Sequence, residues 1–208
     1  MSENTSAVKQ YKNISRSYDS RFREYITVTT NKIAALTNIA PGTSVLDLGC
    51  GTGDMLLKLA QEYSNAGLLT GMDTSEEMLT LAKAKLASFT NVHLQLGSIE
   101  KIPYPDKHFD LIVSSGVIHY IQDIDSMTKE AFRVLKPHGR ILLIDMAKES
   151  LTTKISSVFR SVADPGTVRY YSLHSASKLM RSQGFEIQSV GLFRAGVFGL
   201  FLIESVRP

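Results

Sequence analysis

The chain has 208 residues, enough for one domain with a sizeable buried core. Its 23 Lys and Arg against 20 Asp and Glu leave a net charge of +3, and no basic block or stripe stands out, which argues against a nucleic-acid surface. One cysteine, Cys50, excludes an internal disulfide framework and suits a reducing cytoplasm.

Met1 to Gln10 is polar and lacks an apolar core, so no signal peptide is expected there. Val8, Tyr11, Ser15 and Tyr18 then fall on one face of a first helix, because steps of three and four residues stack on an α-helix. A second helix is expected from about Phe22 to Ile39, with Phe22, Tyr25, Ile26, Thr29, Ile33 and Leu36 inward and Pro41-Gly42 as its stop. Val45-Leu46-Asp47-Leu48 is a short apolar run interrupted by an acid, and glycines follow at 49, 51 and 53. Such a run is a buried strand that the glycines end in a tight turn. Met55 to Tyr63 follows as a helix. With no Cβ to hold it away, a glycine turn between strand and helix lets backbone approach a ligand closely. Such turns serve nucleotide-like cofactors at the mouth of a parallel sheet.

Leu68 to Met72 is the second expected strand, closed by Asp73; Ser75 caps the next helix, which turns Met78, Leu81, Ala82 and Leu86 inward. Val92 to Leu96 and Phe109 to Val113 are further strands. Ile124 to Leu135 is an amphipathic helix that Pro137 stops, and Arg140 to Asp145 is the fifth strand. Alternation of this kind argues for a mostly parallel sheet with helices on both faces. The last third departs from it. After a helix from Leu173 to Gln183, the strands Phe185 to Phe193 and Val197 to Val206 are separated only by Arg194-Ala195-Gly196. Parallel neighbours need a crossover of a dozen residues or more, so these two pair as a hairpin. Val197 to Ile203, the most apolar segment, is too short to cross a bilayer, and no stable membrane insertion is expected.

The order of the glycines bears on the ligand. A dinucleotide turn reads G-x-G-x-x-G and seats a pyrophosphate on a helix N-terminus. Here the order is G-x-G-x-G behind Asp47, an acid that repels phosphate but accepts hydrogen bonds from an ammonium group. The segment Leu46-Asp47-Leu48-Gly49-Cys50-Gly51-Thr52-Gly53 resembles the first motif of the class I S-adenosylmethionine-dependent methyltransferases of the small-molecule type. Within them the chain is similar to the ubiquinone and menaquinone C-methyltransferase group.

That resemblance implies a Rossmann-like three-layer α/β sandwich whose seven-stranded, mostly parallel sheet ends in an antiparallel strand. It implies a single domain over 1–208, with 1–40 as a helical cap and 146–172 as a substrate lid. The implied cofactor is S-adenosylmethionine, bound by Asp47, Gly49, Cys50, Gly51 and Gly53, with Thr74 and Met78 alongside. Asp73 is expected to accept the ribose hydroxyls, the other reading being an acid favoured at a helix N-terminus. Ser98 and Ile99 lie in the segment Gly97 to Tyr104, which resembles the adenine-pocket segment, with Ser98 where an Asp is usual. Ser114, ending the fourth strand, is placed near the methionine tail, and Tyr18 near the sulfonium. Cys50 reads as a small residue filling a tight slot rather than a nucleophile.

His119 stands beyond the fourth strand, at the edge where open α/β sheets bind ligands. An imidazole titrates near neutrality and suits removing a proton from an acceptor. It equally suits packing or capping the loop, and both readings stay open. In Leu135-Lys136-Pro137-His138-Gly139-Arg140, His138 replaces the usual glycine of a structural turn and is expected to be solvated.

The expected reaction is methyl transfer to a small-molecule O-, N- or C-nucleophile with no metal. Rivals are a nicotinamide-dependent oxidoreductase, disfavoured by the glycine order and the hairpin, and methylation of a macromolecule or a binding-only relative. The Asn/Asp-Pro-Pro-aromatic motif is absent at Ser114-Ser115-Gly116, and so is a Pro-Cys nucleophile. Phe159, Arg160, Arg169, Tyr170 and Tyr171 in the expected lid suit an aromatic or amphiphilic acceptor; hydrated arginines on a loose lid are the plainer alternative. Self-association is left open.

Overall fold

The computed structural model describes residues 14–63, 65–150 and 169–208. Residues 14–21 form helix α1, and a turn at Phe22 leads into α2, Arg23–Thr37. The helix stops earlier than expected because Asn38 takes a left-handed conformation (φ 35°) before Pro41 is reached. The expected helical partners Val8 and Tyr11 lie outside the described residues.

Then come β1 (Val45–Leu48), α3 (Asp54–Glu62), β2 (Leu69–Asp73), α4 (Glu76–Lys85), β3 (Val92–Leu96), β4 (Phe109–Ser115) and a 3-10 turn at Ile118–Tyr120. Helix α5 (Ile124–Val134), β5 (Leu135–Met146), α6 (Leu173–Ser182), β6 (Glu186–Ala195) and β7 (Phe198–Val206) complete the order. Ser75 caps α4 as expected, its hydroxyl accepting from Met78 N at 3.3 Å.

One sheet of seven strands runs β3-β2-β1-β4-β5-β7-β6. The first five strands pair in parallel, whereas β7 lies antiparallel to both β5 and β6, with Leu143 opposite Ile203. Parallel strands covered on both faces must be apolar on both, which is why β1 is buried throughout despite its Asp47. One core joins Ile33 of α2, Leu56 and Leu59 of α3 and Ala82 of α4 to Val45, Leu111 and Leu202 of the sheet. The other joins Met127 and Ala131 of α5 and Met180 of α6 to Leu46, Ile112 and Phe201. The expected three layers are present. Among the described residues no helix is long and apolar enough to cross a membrane.

A strand boundary also needs correction. The fifth strand begins at Leu135 rather than Arg140, because the expected turn is pinned from two sides. Leu135 pairs with Phe109, and His138 N donates to Arg207 O at 2.7 Å. A register shift between Phe109 and Leu111 takes up the slack. His138 is exposed with φ 62°, the conformation for which a glycine is usual there.

Candidate functional site

The strand order reverses between β1 and β4, which places a crevice at their carboxyl ends. Leu48 of β1 lies opposite Met72 of β2 and Ser114 of β4, so the residues that follow all three strands meet. The amides of Gly49 and Cys50 both donate to Met72 O, at 2.8 and 2.9 Å, and tie the glycine turn to β2. Gly49 (φ 73°) has to be glycine, since a Cβ there would run into the Val117 side chain. Gly51 (φ 52°) has nothing within 4 Å of where its Cβ would lie, so its backbone borders open space. Gly53 forms the N-cap of α3.

Asp47 and Asp73 frame this turn. Asp47 is buried, and its Oδ2 has no hydrogen-bond partner. Burial, and then the nearby carboxylates of Asp73 and Asp54, push its carboxyl up to about 8. An unsatisfied buried acid at a ligand-binding edge calls for a cationic partner. Asp73 Oδ2 accepts from Gly51 N and Oδ1 from Ser75 N, each at 2.9 Å. Its carboxyl is nevertheless raised, because desolvation outweighs the backbone N–H groups of Ser75, Gly51 and Thr74. A carboxylate offers about four acceptor directions, so three backbone donors leave room for a ligand hydroxyl.

The other predicted residues have plainer surroundings. Thr74 is exposed, and Met78 is buried in the first turn of α4. Ser98 Oγ accepts from Glu100 N at 3.2 Å. Ile99 is buried in the core cluster that also holds Met72 and Ile102. Ser114 is fully buried, and its hydroxyl donates to Leu48 O at 2.9 Å, joining β4 to β1. The Cys50 thiol is buried and pushed well up, first by desolvation and then by Asp47 and Asp73, so it stays protonated and unreactive. Tyr18 is half-buried, its ring 5.0 Å from that of Phe22. Arg169 is exposed while Tyr170 is buried; Phe159 and Arg160 lie outside the described residues.

His119 occupies the 3-10 turn after β4, two residues beyond the Val117 that leans over Gly49. Its Nδ1 lies 2.6 Å from Asp145 Oδ1, both side chains buried. Asp145 Oδ2 also accepts from Ile118 N at 2.8 Å, which holds the carboxylate fixed. In the tautomer that donates from Nδ1 to Asp145, Nε2 is left as the acceptor nitrogen of the ring. The ring stacks on Tyr170, centroids 5.8 Å apart and planes at 28°. From the other side of the sheet Tyr25 of α2 shares a 3.0 Å hydrogen bond with Ser115, at the end of β4. Burial and the Asp145 charge push the Tyr25 phenol up, so it remains neutral. By sequence pattern alone, Asp145 is only the end of a strand and Tyr25 only an inward-facing residue of α2. A signal for Asp145 was present: an acid closing the apolar run Ile141 to Ile144, as Asp47 does in β1.

Residues 39–188 match a family model described as "Methyltransferase domain". Among curated proteins, a demethylmenaquinone methyltransferase of Staphylococcus epidermidis is 32% identical over 160 residues, covering 73% of this chain and 66% of that protein. One of Listeria welshimeri is 33% identical over 150 residues, covering 69% of this chain and 63% of the relative. The matched region therefore spans just under two thirds of these relatives. Among solved structures, a Haloferax volcanii methyltransferase in complex with a methyltransferase activator superposes with a TM-score of 0.85 at 20% identity, covering 98% of both chains. That likeness concerns the fold.

Proposed function

Because the chain belongs to the methyltransferase-domain family, we propose that it moves a methyl group from S-adenosylmethionine to a small-molecule acceptor. The observation that carries this reading is Asp47, a buried carboxylate with an unpartnered oxygen just before a turn whose Gly51 backbone borders open space. The methionine ammonium answers the first feature and the nucleoside the second. In this reading Asp47 takes the ammonium, the glycine turn takes the close approach, Asp73 takes a ribose hydroxyl, and the segment from Ser98 flanks the adenine. The bound cofactor supplies a methyl carbon already activated by its sulfonium. The protein then needs to position the acceptor in line, exclude water and, for a weakly acidic acceptor, hold a base.

His119 is that base in our reading. Asp145 fixes its tautomer, and its Nε2 takes the proton from an acceptor hydroxyl. The acceptor we favour is an aromatic, amphiphilic ring of the kind named by the demethylmenaquinone methyltransferase relatives, in its hydroquinone form. Loss of a hydroxyl proton to Nε2 would make a ring carbon nucleophilic toward the methyl group that the cofactor would supply, with the carbon–sulfur bonding pair staying on sulfur and the ring carbon's displaced proton lost to solvent. We read 1–208 as one domain with the N-terminal helices as cap and 146–172 as substrate lid, of which 151–168 lie outside the described residues.

Thermal denaturation with candidate ligands tests the cofactor. S-adenosylmethionine and S-adenosylhomocysteine should raise the melting temperature, since any ligand that binds only the folded state does so by mass action. NADH and NADPH should not. Stabilisation by a nicotinamide cofactor alone would overturn the reading. Transfer of labelled methyl to a short-chain demethylmenaquinol tests the acceptor.

A further inference from the structure

Lys85, in the last turn of α4, places its ammonium in a ring of acceptors drawn from three other parts of the chain. Its Nζ donates to Asp19 Oδ2 of α1 at 2.8 Å, to Asp54 Oδ2 of α3 at 2.8 Å, and to Thr52 Oγ1 of the glycine turn at 3.2 Å. All three ammonium hydrogens are thereby used. The Thr52 hydroxyl is itself within bonding distance of both carboxylates, 2.6 Å from Asp19 Oδ1 and 2.9 Å from Asp54 Oδ2. Two acids thus converge on one hydroxyl, and Lys85 is the cation between them. Without it the like charges would repel across a partly buried contact.

Among residues 14–21 only Ser15 is buried, so apolar burial contributes little to the docking of α1. The end of α4 is, by contrast, fixed against the turn: a Cβ on Gly53 would lie 2.9 Å from Leu86 and 3.1 Å from Ala82. We infer that Lys85 is a positioning residue for the cofactor site, its bridge from Asp54 and Thr52 to Asp19 keeping the helix that carries Tyr18 docked on the glycine turn. This rests on the proposed reading that the cofactor sits at that turn beneath an N-terminal cap.

The test compares wild type with K85M, K85R and K85M/D19N in two measurements. The first is the rate of tryptic cleavage after Arg16, Arg21 and Arg23 in the ligand-free protein, followed by mass spectrometry; the second is the calorimetric Kd for S-adenosylhomocysteine. K85M should speed cleavage several-fold and raise Kd roughly three- to tenfold, the scale of a partly exposed ion pair with a like-charge penalty. K85R should stay near wild type. D19N added to K85M should bring both values back toward wild type, because it removes the repulsion; a generic loss of packing in α4 would not be rescued this way. Wild-type values in K85M, or no recovery with D19N, overturn the inference. Should K85M fail to fold, D19N alone must show faster cleavage and weaker binding, since it breaks the same bridge from the α1 side. Faster cleavage with unchanged Kd would show α1 released without consequence for the ligand. That overturns Lys85's role at the site, whereas the cofactor reading itself falls only if wild type does not bind S-adenosylhomocysteine.

Discussion

A buried imidazole 2.6 Å from a buried carboxylate is a unit whose two members act through one proton, and this shapes what their substitution should do. His119→Ala should lower kcat by about 10²–10⁴-fold with little change in affinity for S-adenosylhomocysteine. Asp145→Asn should lower kcat through the ring's tautomer and orientation, and the double variant should be no worse than His119→Ala alone. Additive losses, or cofactor affinity falling in step with kcat, would make the pair structural. Asp73 belongs to the other side of the crevice. Asp73→Ala removes a charged acceptor at about 1.5–3 kcal/mol, so affinity for S-adenosylhomocysteine should fall roughly tenfold or more by calorimetry. Unchanged affinity in a folded variant would leave Asp73 as a turn residue only.

Helix α5 shows how an element acts at a distance through its hydrogen bonds. Arg133 Nε and one Nη2 hydrogen go to Glu130, the other Nη2 hydrogen to Ile102 O, and the Nη1 hydrogens to Tyr104 O and Asp106, all at 2.8–2.9 Å. Glu130 in turn accepts from Ile102 N at 2.9 Å. The pair thus grips, through its backbone, the segment after β3 that runs on from Ser98 and Ile99. Hydrogen bonding and charge hold the Glu130 carboxyl below its ordinary value and the guanidinium above its own. Arg133→Met should destabilise the fold by about 1–3 kcal/mol, or roughly 2–4 °C of melting temperature per kcal/mol, read by calorimetry. Arg133→Lys should recover little, because an ammonium cannot reproduce the planar fork. A full recovery with lysine would mean that charge alone matters there.

For the whole molecule, Asp47 sets a conflict between stability and binding. An aspartate ionises near pH 4 in an unfolded chain, whereas here its carboxyl sits at about 8. Between those values the folded state binds more protons than the unfolded one, so stability of the ligand-free protein falls as pH rises across that window. The favourable contribution is complete below about pH 4 and lost above about pH 8. Asp47→Asn should flatten this slope, raise the ligand-free melting temperature at pH 8 relative to wild type, and weaken S-adenosylhomocysteine binding. Binding to wild type near pH 7 should release protons, visible in calorimetry as a dependence of heat on buffer. A variant with the wild-type pH slope would exclude Asp47 as its source.

The sequence alone determined the run of strands and helices, the closing hairpin and the glycine turn, because these rest on short-range physics. Two-residue and 3.6-residue periods show in any window, a three-residue link admits only an antiparallel pair, and glycines at 49, 51 and 53 report their positive φ locally. It also pointed to Asp47, Asp73 and His119, since a polar residue at the end of an apolar strand stands out by itself. The partners were decided only by the tertiary structure. His119 and Asp145 are 26 residues apart, Arg133 and Ile102 31, and Lys85 and Asp19 66. Each pair meets because of where whole elements lie in the fold, α1 against the glycine turn, α5 against the segment after β3, β4 beside β5. Those placements follow from how every strand and helix buries its apolar surface at once, so no single stretch of sequence carries them.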